Sequence, residues 1–420
     1  MGTFVGYRCS ICHHEFTPDQ VQYTCPHDGG NLDVVLDYDT IQKYVTPQQI
    51  FQSQEASLWR YLPLLPVGDI GYSGTPFHRA GYTPIYATPN LGKAFGFENL
   101  WVKDESRNPT ASFKDRASAV VVARARQIAA DVVVTASTGN AGAALAGMAA
   151  AVGQKAVIFA PRTAPAAKIA QLLVFGAKVI LVDGNYDSAF DLTIEAAREF
   201  GWYCRNTGFN PFTAEGKKTA ALEIWEWWET EGQKNNRNKN LVIFVSVGDG
   251  NIISGIHKGF KDLQALGWLK EMPRIYGVQA IGSAAIANAF NKGSEEIIPV
   301  VANTLADSIS VDLPRDGVRA VRAARETHGA YILVEDQEIL SAIAALGKVG
   351  IFAEPAGATA YAGFLKAAGQ GLLHKDDAVL VLNTGSGLKD VKAAMQAVQE
   401  APVIEPSMSA LKKFLQSVNG

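Results

Sequence analysis

From residue 115 to 215, short apolar runs alternate with longer stretches in which apolar residues recur at helical spacing. The runs at 132–136, 156–160 and 178–182 are short, mostly apolar, and predict strands; the stretches at 117–130, 141–152 and 166–175 predict helices. Strands separated by helix-length segments build parallel sheets with helices on their faces. Residues 216–400 repeat the alternation, with strand runs at 241–247 and 378–382, a helix at 390–398 and a further one expected at 405–418. Residues 76–102 read as short strands, with Gly71, Gly74 and Gly81 as turns. Trp225, Trp227 and Trp228 share one helix, and their spacing suits core or domain-interface packing. The pattern predicts an α/β fold of two parallel-sheet, three-layer domains. Its divisions are a knuckle (1–38), an arm with part of the large domain (39–114), a small domain (115–215) and the rest of the large domain (216–420).

Composition narrows the function classes. A chain of 420 residues exceeds one ordinary core, and 48% hydrophobic with 19% charged residues describes a well-packed globule. A net charge of −3 gives no pull toward nucleic acid or an anionic membrane surface. No apolar run approaches the length of a membrane span, and no basic-then-apolar leader opens the chain, so the cytoplasm is the expected location.

Candidate chemistry begins at Ser112-Phe113-Lys114-Asp115-Arg116, where a polar turn precedes an apolar helix. Lys114 is an amine at a helix opening, and Ser137-Thr138-Gly139-Asn140 places hydroxyls and an amide on the next loop. Such a lysine either forms a Schiff base with a carbonyl cofactor or is a surface residue at a helix start. Gly248-Asp249-Gly250-Asn251 follows a strand run and precedes a helix, so its bare N–H groups suit a phosphate, although a tight strand-to-helix turn uses the same residues. On the phosphate reading the Asp249 carboxylate must point away from the anion. Glu354-Pro355-Ala356-Gly357-Ala358 opens another helix, and Asn383-Thr384-Gly385-Ser386-Gly387-Leu388-Lys389-Asp390 ends the run at 378–382.

Taken in order, S-F-K-D-R, S-T-G-N-A-G, V-G-D-G-N-I-I-S-G, E-P-A-G-A and N-T-G-S-G-L-K-D resemble the fold type II pyridoxal-phosphate enzymes of the tryptophan-synthase-β type, closest to the threonine synthase branch. The motifs run from about residue 107 to 390. The resemblance implies pyridoxal 5'-phosphate as cofactor, with Lys114 as Schiff-base lysine and proton shuttle. Phe113 would pack near the cofactor ring, Asn140 would meet the ring hydroxyl, Glu354 the ring edge and Thr384 the pyridine nitrogen. Gly248, Asp249, Gly250 and Asn251 would cradle the phosphate, and Ser137 and Thr138 would hold the substrate carboxylate. It further implies a homodimer and an amino-acid substrate, phosphorylated in the threonine synthase case.

The substrate end departs from the family pattern. Where threonine synthases carry N-x-x-R-x-E-G-Q-K-T, this chain has Asn210-Pro211-Phe212-Thr213-Ala214-Glu215-Gly216-Lys217-Lys218-Thr219. A threonine hydroxyl does not reproduce a bidentate guanidinium–phosphate contact. Arg205, Asn206, Lys217 and Lys168 are alternative sources of charge or hydrogen bonds, with Asn206 and Lys217 taken as substrate-binding. The leading expectation is a lyase converting O-phosphohomoserine and water to threonine and phosphate. The alternative is a relative working by β-elimination or β-replacement: a serine/threonine dehydratase, or a cysteate-synthase-like enzyme acting on O-phosphoserine.

Cys9, Cys12 and Cys25 lie in a segment resembling a rubredoxin-like or zinc-ribbon knuckle pair whose fourth cysteine is missing. Asp28 stands at that place and His27 beside it. Two readings stand: a structural zinc on Cys9, Cys12, Cys25 and Asp28 (or His27), or a degenerate knuckle that packs on the body without metal. Cys204, beside Trp202 and Tyr203, reads as a core residue.

Overall fold

The computed structural model describes residues 3–235 and 240–418. Three sheets organise it. The largest has six strands in the order Tyr331–Val334, Arg274–Ala280, Leu241–Ser246, Ala378–Asn383, Leu100–Asp104 and Ile85–Ala87. All pair in parallel except the edge strand Ile85–Ala87. The second sheet has four parallel strands, ordered Lys178–Val182, Lys155–Pro161, Val132–Ala136 and Tyr203–Cys204. The N-terminal knuckle is a three-stranded antiparallel sheet of Glu15–Phe16, Phe4–Cys9 and Leu32–Leu36.

The central strands are near-continuous apolar runs, as sheets covered on both faces require. Leu241–Ser246 and Ala378–Asn383 are buried at every position, and so is Val132–Ala136. One hydrophobic core runs from Tyr7 and Leu32 in the knuckle through Leu58 and Phe212 to Ile243 and Leu380. Another fills the far face of the six-stranded sheet around Phe244, Tyr276 and Phe364. Trp225 stacks on Trp268 with centroids 5.8 Å apart, and Trp227 meets Trp101 edge-on at 5.2 Å, so the tryptophan-rich helix Phe212–Thr230 packs into the body.

The helices between strands are Lys114–Gln127, Asn140–Ala151, Ala166–Val174 and Asn251–Ala265, among others. Residues 76–102 correct the sequence expectation. Only Ile85–Ala87 and Leu100–Asp104 are strands there; Pro76–Arg79 is a 3₁₀ turn and Pro89–Gly92 a short helix. Thr75-Pro76 and Thr88-Pro89 carry the reason, since a threonine before a proline is a helix-opening signal.

Candidate active site

In open parallel sheets, ligands bind beyond the carboxyl ends of the strands. Here the carboxyl ends of both parallel sheets feed one cleft. The loops after Val132–Ala136, Leu241–Ser246 and Ala378–Asn383 supply its walls, together with the turn before Lys114.

That turn is fixed by its neighbours. The Phe113 N–H donates to Thr384 O at 2.9 Å, and the Ser386 N–H to Ala111 O at 3.1 Å. Ala111 sits at a φ of 63°, a left-handed conformation unfavourable to a residue with a β-carbon, and these bonds hold it there. The Asp115 carboxylate accepts from the Thr110 N–H at 2.6 Å and from the Thr110 hydroxyl. Arg116 donates to Glu105 Oε2 at 2.7 Å and to both oxygens of Glu223, and Lys103 reaches Glu223 at 2.6 Å, all fully or almost fully buried. Lys114 therefore opens its helix between two anchored residues. It faces the cleft, and the surface-lysine reading is excluded. Burial pulls its amine below the usual lysine range; Glu354 and Asp249 push it back up, and Arg205 opposes them.

Gly248, Asp249, Gly250, Asn251, Glu354, Thr384 and Lys217 line the same part of the cleft as Lys114. A β-carbon on Gly248 would lie 2.8 Å from Ile309 Cα, and Gly250 has a φ of 89° with Asp316 O 2.5 Å from where a β-carbon would sit. Only glycine fits this loop. The Asp249 carboxylate accepts from the Arg315 N–H at 3.4 Å, and burial raises its pKa. Asn251 opens the helix Asn251–Ala265, and its side chain is occupied: Oδ1 accepts from Lys217 Nζ at 2.5 Å, and Nδ2 donates to Asp316 at 2.6 Å.

Charge in this corner is lopsided. Lys217 is fully buried, and its ammonium form is disfavoured by burial first, then by Lys114 and Arg205. Arg205 is also fully buried, its pKa lowered by burial to about 10, and its Nη2 has no hydrogen-bond partner among the described residues. Neither does the buried Ser246 hydroxyl, which lines the same wall. Glycine backbone, a helix N-terminus, surplus cations and an unpartnered hydroxyl together fit a phosphate dianion.

Ser137, Thr138 and Asn140 line the adjoining part of the cleft, a cavity of about 460 Å³ that also contains Lys114 and Asp249. Asn140 Nδ2 donates to Glu354 Oε1 at 2.7 Å, and burial lifts the Glu354 carboxyl to about 7 against the pull of Lys114 and Asn140. At the mouth, Lys168 pairs with Asp307, and Lys389 donates to Gln171 at 3.0 Å.

Two expected residues are not brought to the cleft wall. Phe113 is fully buried, with the Arg116 guanidinium 5.6 Å from its ring centroid. Asn206 lies behind the 137–140 loop, where Oδ1 accepts from the Ala136 N–H at 2.8 Å and the Thr135 hydroxyl at 3.1 Å, while its buried Nδ2 has no partner among the described residues. Thr207, Ser246 and Ser308 line the site without having been singled out from sequence. Ser246 could have been found as the last residue of its strand; Ser308 lies in a stretch without periodic pattern.

In the knuckle, ligand atoms of Cys9, Cys12, Cys25 and Asp28 all lie within 4.8 Å of one another. His27 is not part of this group; its ring packs against His14 at 4.7 Å and Phe16 at 5.5 Å. Asp28, not His27, therefore completes the set. Cys204 is buried in the core, as expected.

Residues 77–385 match the family described as pyridoxal-phosphate dependent enzyme. The threonine synthase of Methanocaldococcus jannaschii is 39% identical over 414 residues, covering 98% of this chain and 99% of that protein. That of Methanosarcina acetivorans is 34% identical, covering 97% and 98%. Among solved structures, holo diaminopropionate ammonia lyase from Escherichia coli aligns with a TM-score of 0.65 at 23% identity, covering 84% of this chain and 95% of that one. The processed form of threonine deaminase isoform 2 from Solanum lycopersicum aligns with a TM-score of 0.63 at 21% identity, covering 86% and 88%. These structural likenesses establish the fold. With the family match and the near full-length identities added, the chain belongs to the pyridoxal-phosphate dependent enzymes, in their threonine synthase family.

Proposed function

We propose that this chain converts O-phosphohomoserine and water to threonine and phosphate. The observation carrying the proposal is the 39% identity to a threonine synthase along almost the whole of both chains. Bound pyridoxal phosphate would supply an electron sink for negative charge developing on the substrate.

The chain's own residues divide the remaining work. The Gly248–Asn251 main chain would cradle the cofactor phosphate, and Lys114 would be the residue that holds the cofactor through its amine. That amine, favoured in its neutral form by burial, would also move protons at the substrate's Cα, Cβ and Cγ. Ser137 and Thr138 would orient the substrate carboxylate. Thr384 would meet the pyridine nitrogen with a hydroxyl, which does not enforce a full positive charge there; the milder sink suits a reaction in which a leaving group carries the charge away. Asn140, held by Glu354, would face the ring hydroxyl. The atoms balance when the Cγ–O bond breaks and phosphate departs with its ester oxygen, Cβ gives up one hydrogen as a proton and takes the hydroxyl of water, Cγ takes one proton, and the remaining proton leaves on the phosphate.

Lys217 would supply the cation for the substrate phosphate that Thr213 lacks. It lies one helical turn beyond Thr213, and both reach Asn251 Oδ1, Thr213 at 3.2 Å. Cys9, Cys12, Cys25 and Asp28 would hold a structural zinc, for which clustered thiolates and a carboxylate are a fitting donor set. The small domain at 115–215 would move against the large one, a division that follows the two separate parallel sheets. The homodimer rests on family resemblance alone. The cytoplasmic assignment draws on the absence, among the described residues, of a helix long and apolar enough to cross a membrane.

A second reading, elimination or replacement at Cβ, is favoured by Thr213 alone. Assaying the cofactor-loaded protein with O-phosphohomoserine, O-phosphoserine, serine and threonine separates the two. Threonine with phosphate from the first substrate supports the proposal. A 2-oxo acid from serine or threonine, or sulfite-dependent phosphate release from O-phosphoserine, selects the alternative.

A further inference from the structure

The knuckle grips the chain that backs the phosphate cradle. Asn31 Nδ2 donates to two carbonyls remote in sequence, Gly208 O and, at 3.0 Å, Arg315 O. Arg315 and Asp316 lie against the cradle. The Asp316 N–H donates to Asp249 O at 2.9 Å, the Arg315 N–H reaches Asp249 Oδ1, and Asp316 Oδ2 accepts from Asn251 Nδ2 at 2.6 Å. The helix Gly317–Glu326 that starts there is held from the same side. Arg319 grasps both Asp316 oxygens at 2.6 and 2.7 Å while donating to Asp33 at 2.7 Å and to Leu32 O at 3.3 Å. Arg322 donates to Ser10 O.

On its other side, Asn31 adjoins the thiol cluster. The Ser10 N–H donates to Asn31 O at 2.9 Å, placing the residue between Cys9 and Cys12 directly on Asn31. The Gly30 N–H donates to Asp28 Oδ1 at 2.8 Å, and a β-carbon on Gly30 would lie 2.8 Å from Cys9 Sγ. So Cys9, Cys25 and Asp28 adjoin Gly30, Ser10 lies in the loop between Cys9 and Cys12 and bonds Asn31, and Asn31 reaches the cradle through Arg315. The knuckle's own strands are short, one of them only two residues long. Its sheet is tied to the body through Tyr7, Leu32 and Val34, and a metal would cross-link the exposed Cys12 and Asp28 to the buried Cys9 and Cys25.

We propose that a divalent metal on Cys9, Cys12, Cys25 and Asp28 tightens the 248–251 cradle through Asn31, Arg315 and Asp316, so that metal and cofactor bind with positive coupling. This rests on the metal reading given above. Coupling between two binding sites is reciprocal: the factor by which metal tightens the cofactor must equal the factor by which cofactor tightens the metal.

The test uses the full-length protein, stripped of metal and cofactor, with zinc ion and pyridoxal phosphate as probes. Zinc stoichiometry and affinity are read by competition with a chromophoric chelator, and cofactor affinity by titration with and without zinc. One zinc per chain is expected, with the cofactor Kd rising by about 5- to 150-fold when zinc is removed, the usual range of site-to-site coupling, and the zinc Kd rising by the same factor when cofactor is removed. Asn31→Ala should keep its zinc and lose most of that factor. Arg322→Gln, which removes the Ser10 contact together with the Glu295 ion pair and leaves Asn31 in place, should lose part of it and serves if Asn31→Ala does not fold. One zinc per chain with an unchanged cofactor Kd would overturn the coupling and leave the metal site standing. Failure to bind one zinc per chain would overturn the metal site, and the coupling with it.

Discussion

Asn140 Nδ2 and Glu354 Oε1, 2.7 Å apart, join the first residue of a helix leaving the four-stranded sheet to the residue that caps a helix packed on the six-stranded one. Both residues are buried, and both line the cleft beside Lys114 or its mouth. Any motion that opens the cleft by separating the two sheets must stretch this bond. The same carboxyl is the group that most opposes the lowering of the Lys114 pKa by burial, so one residue bridges the two sheets and acts on the cleft's amine.

Glu354 gives a pH dependence of defined sign. Burial lifts its carboxyl from 4.5 to about 7, so the folded protein holds the proton more tightly than the unfolded chain does. Stability from this group is complete below pH 4.5 and is lost as pH rises through about 7. Urea unfolding of cofactor-free wild type and Glu354→Gln should show the wild type losing roughly 3 kcal/mol relative to the variant across that window. A constant difference between the two proteins would show that the carboxyl is not buried as described.

Arg116 is the anchor behind Lys114. Removing it leaves Glu105 and Glu223 buried, with Lys103 as their remaining cation. Arg116→Met should destabilise the protein by about 3–5 kcal/mol, the range for orphaning buried charges, measurable as a lowered urea midpoint. A loss under 1 kcal/mol would mean that water reaches these carboxylates.

Lys217 and Thr213 separate the two phosphates. Lys217→Gln should raise KM for O-phosphohomoserine roughly 10- to 100-fold, as expected for one lost charge-assisted contact, with the cofactor Kd little changed. A raised cofactor Kd with unchanged KM would instead assign the lysine to the cofactor phosphate. In a Lys217→Gln background, Thr213→Arg should restore part of the lost affinity.

Lys114 should be the only lysine to become covalently modified when the cofactor-loaded protein is treated with borohydride, as peptide mass spectrometry would read. Modification at Lys217, its buried neighbour in the cleft, would reassign the carbonyl-binding amine.

The sequence was most legible where chemistry and backbone geometry impose the same residues. Lys114, the glycines at 248 and 250, Thr384 and Glu354 sit in short motifs, and the structure draws them to one cleft. The strands at 132–136 and 378–383 were legible because a fully buried strand is mostly a continuous apolar run. The supports were not legible. Arg116, Glu105, Glu223 and Lys103 come from separate segments, and a charged residue in sequence looks solvent-facing until the fold buries it with its partner. Asn31 carries no motif at all, because its partners are two backbone carbonyls. Asn206 was half legible: nothing in the sequence announced that its carbonyl is used on the end of a neighbouring strand, while its buried Nδ2 has no partner among the described residues.

The most direct measurement is the fate of oxygen when the cofactor-loaded protein turns over O-phosphohomoserine in water enriched in the heavy oxygen isotope. Threonine and phosphate should appear one to one, with the label in the threonine hydroxyl and none carried into phosphate by the cleavage step. Label in phosphate with homoserine as co-product would mean phosphoester hydrolysis, and phosphate without threonine would mean elimination alone; either would contradict the proposed reaction.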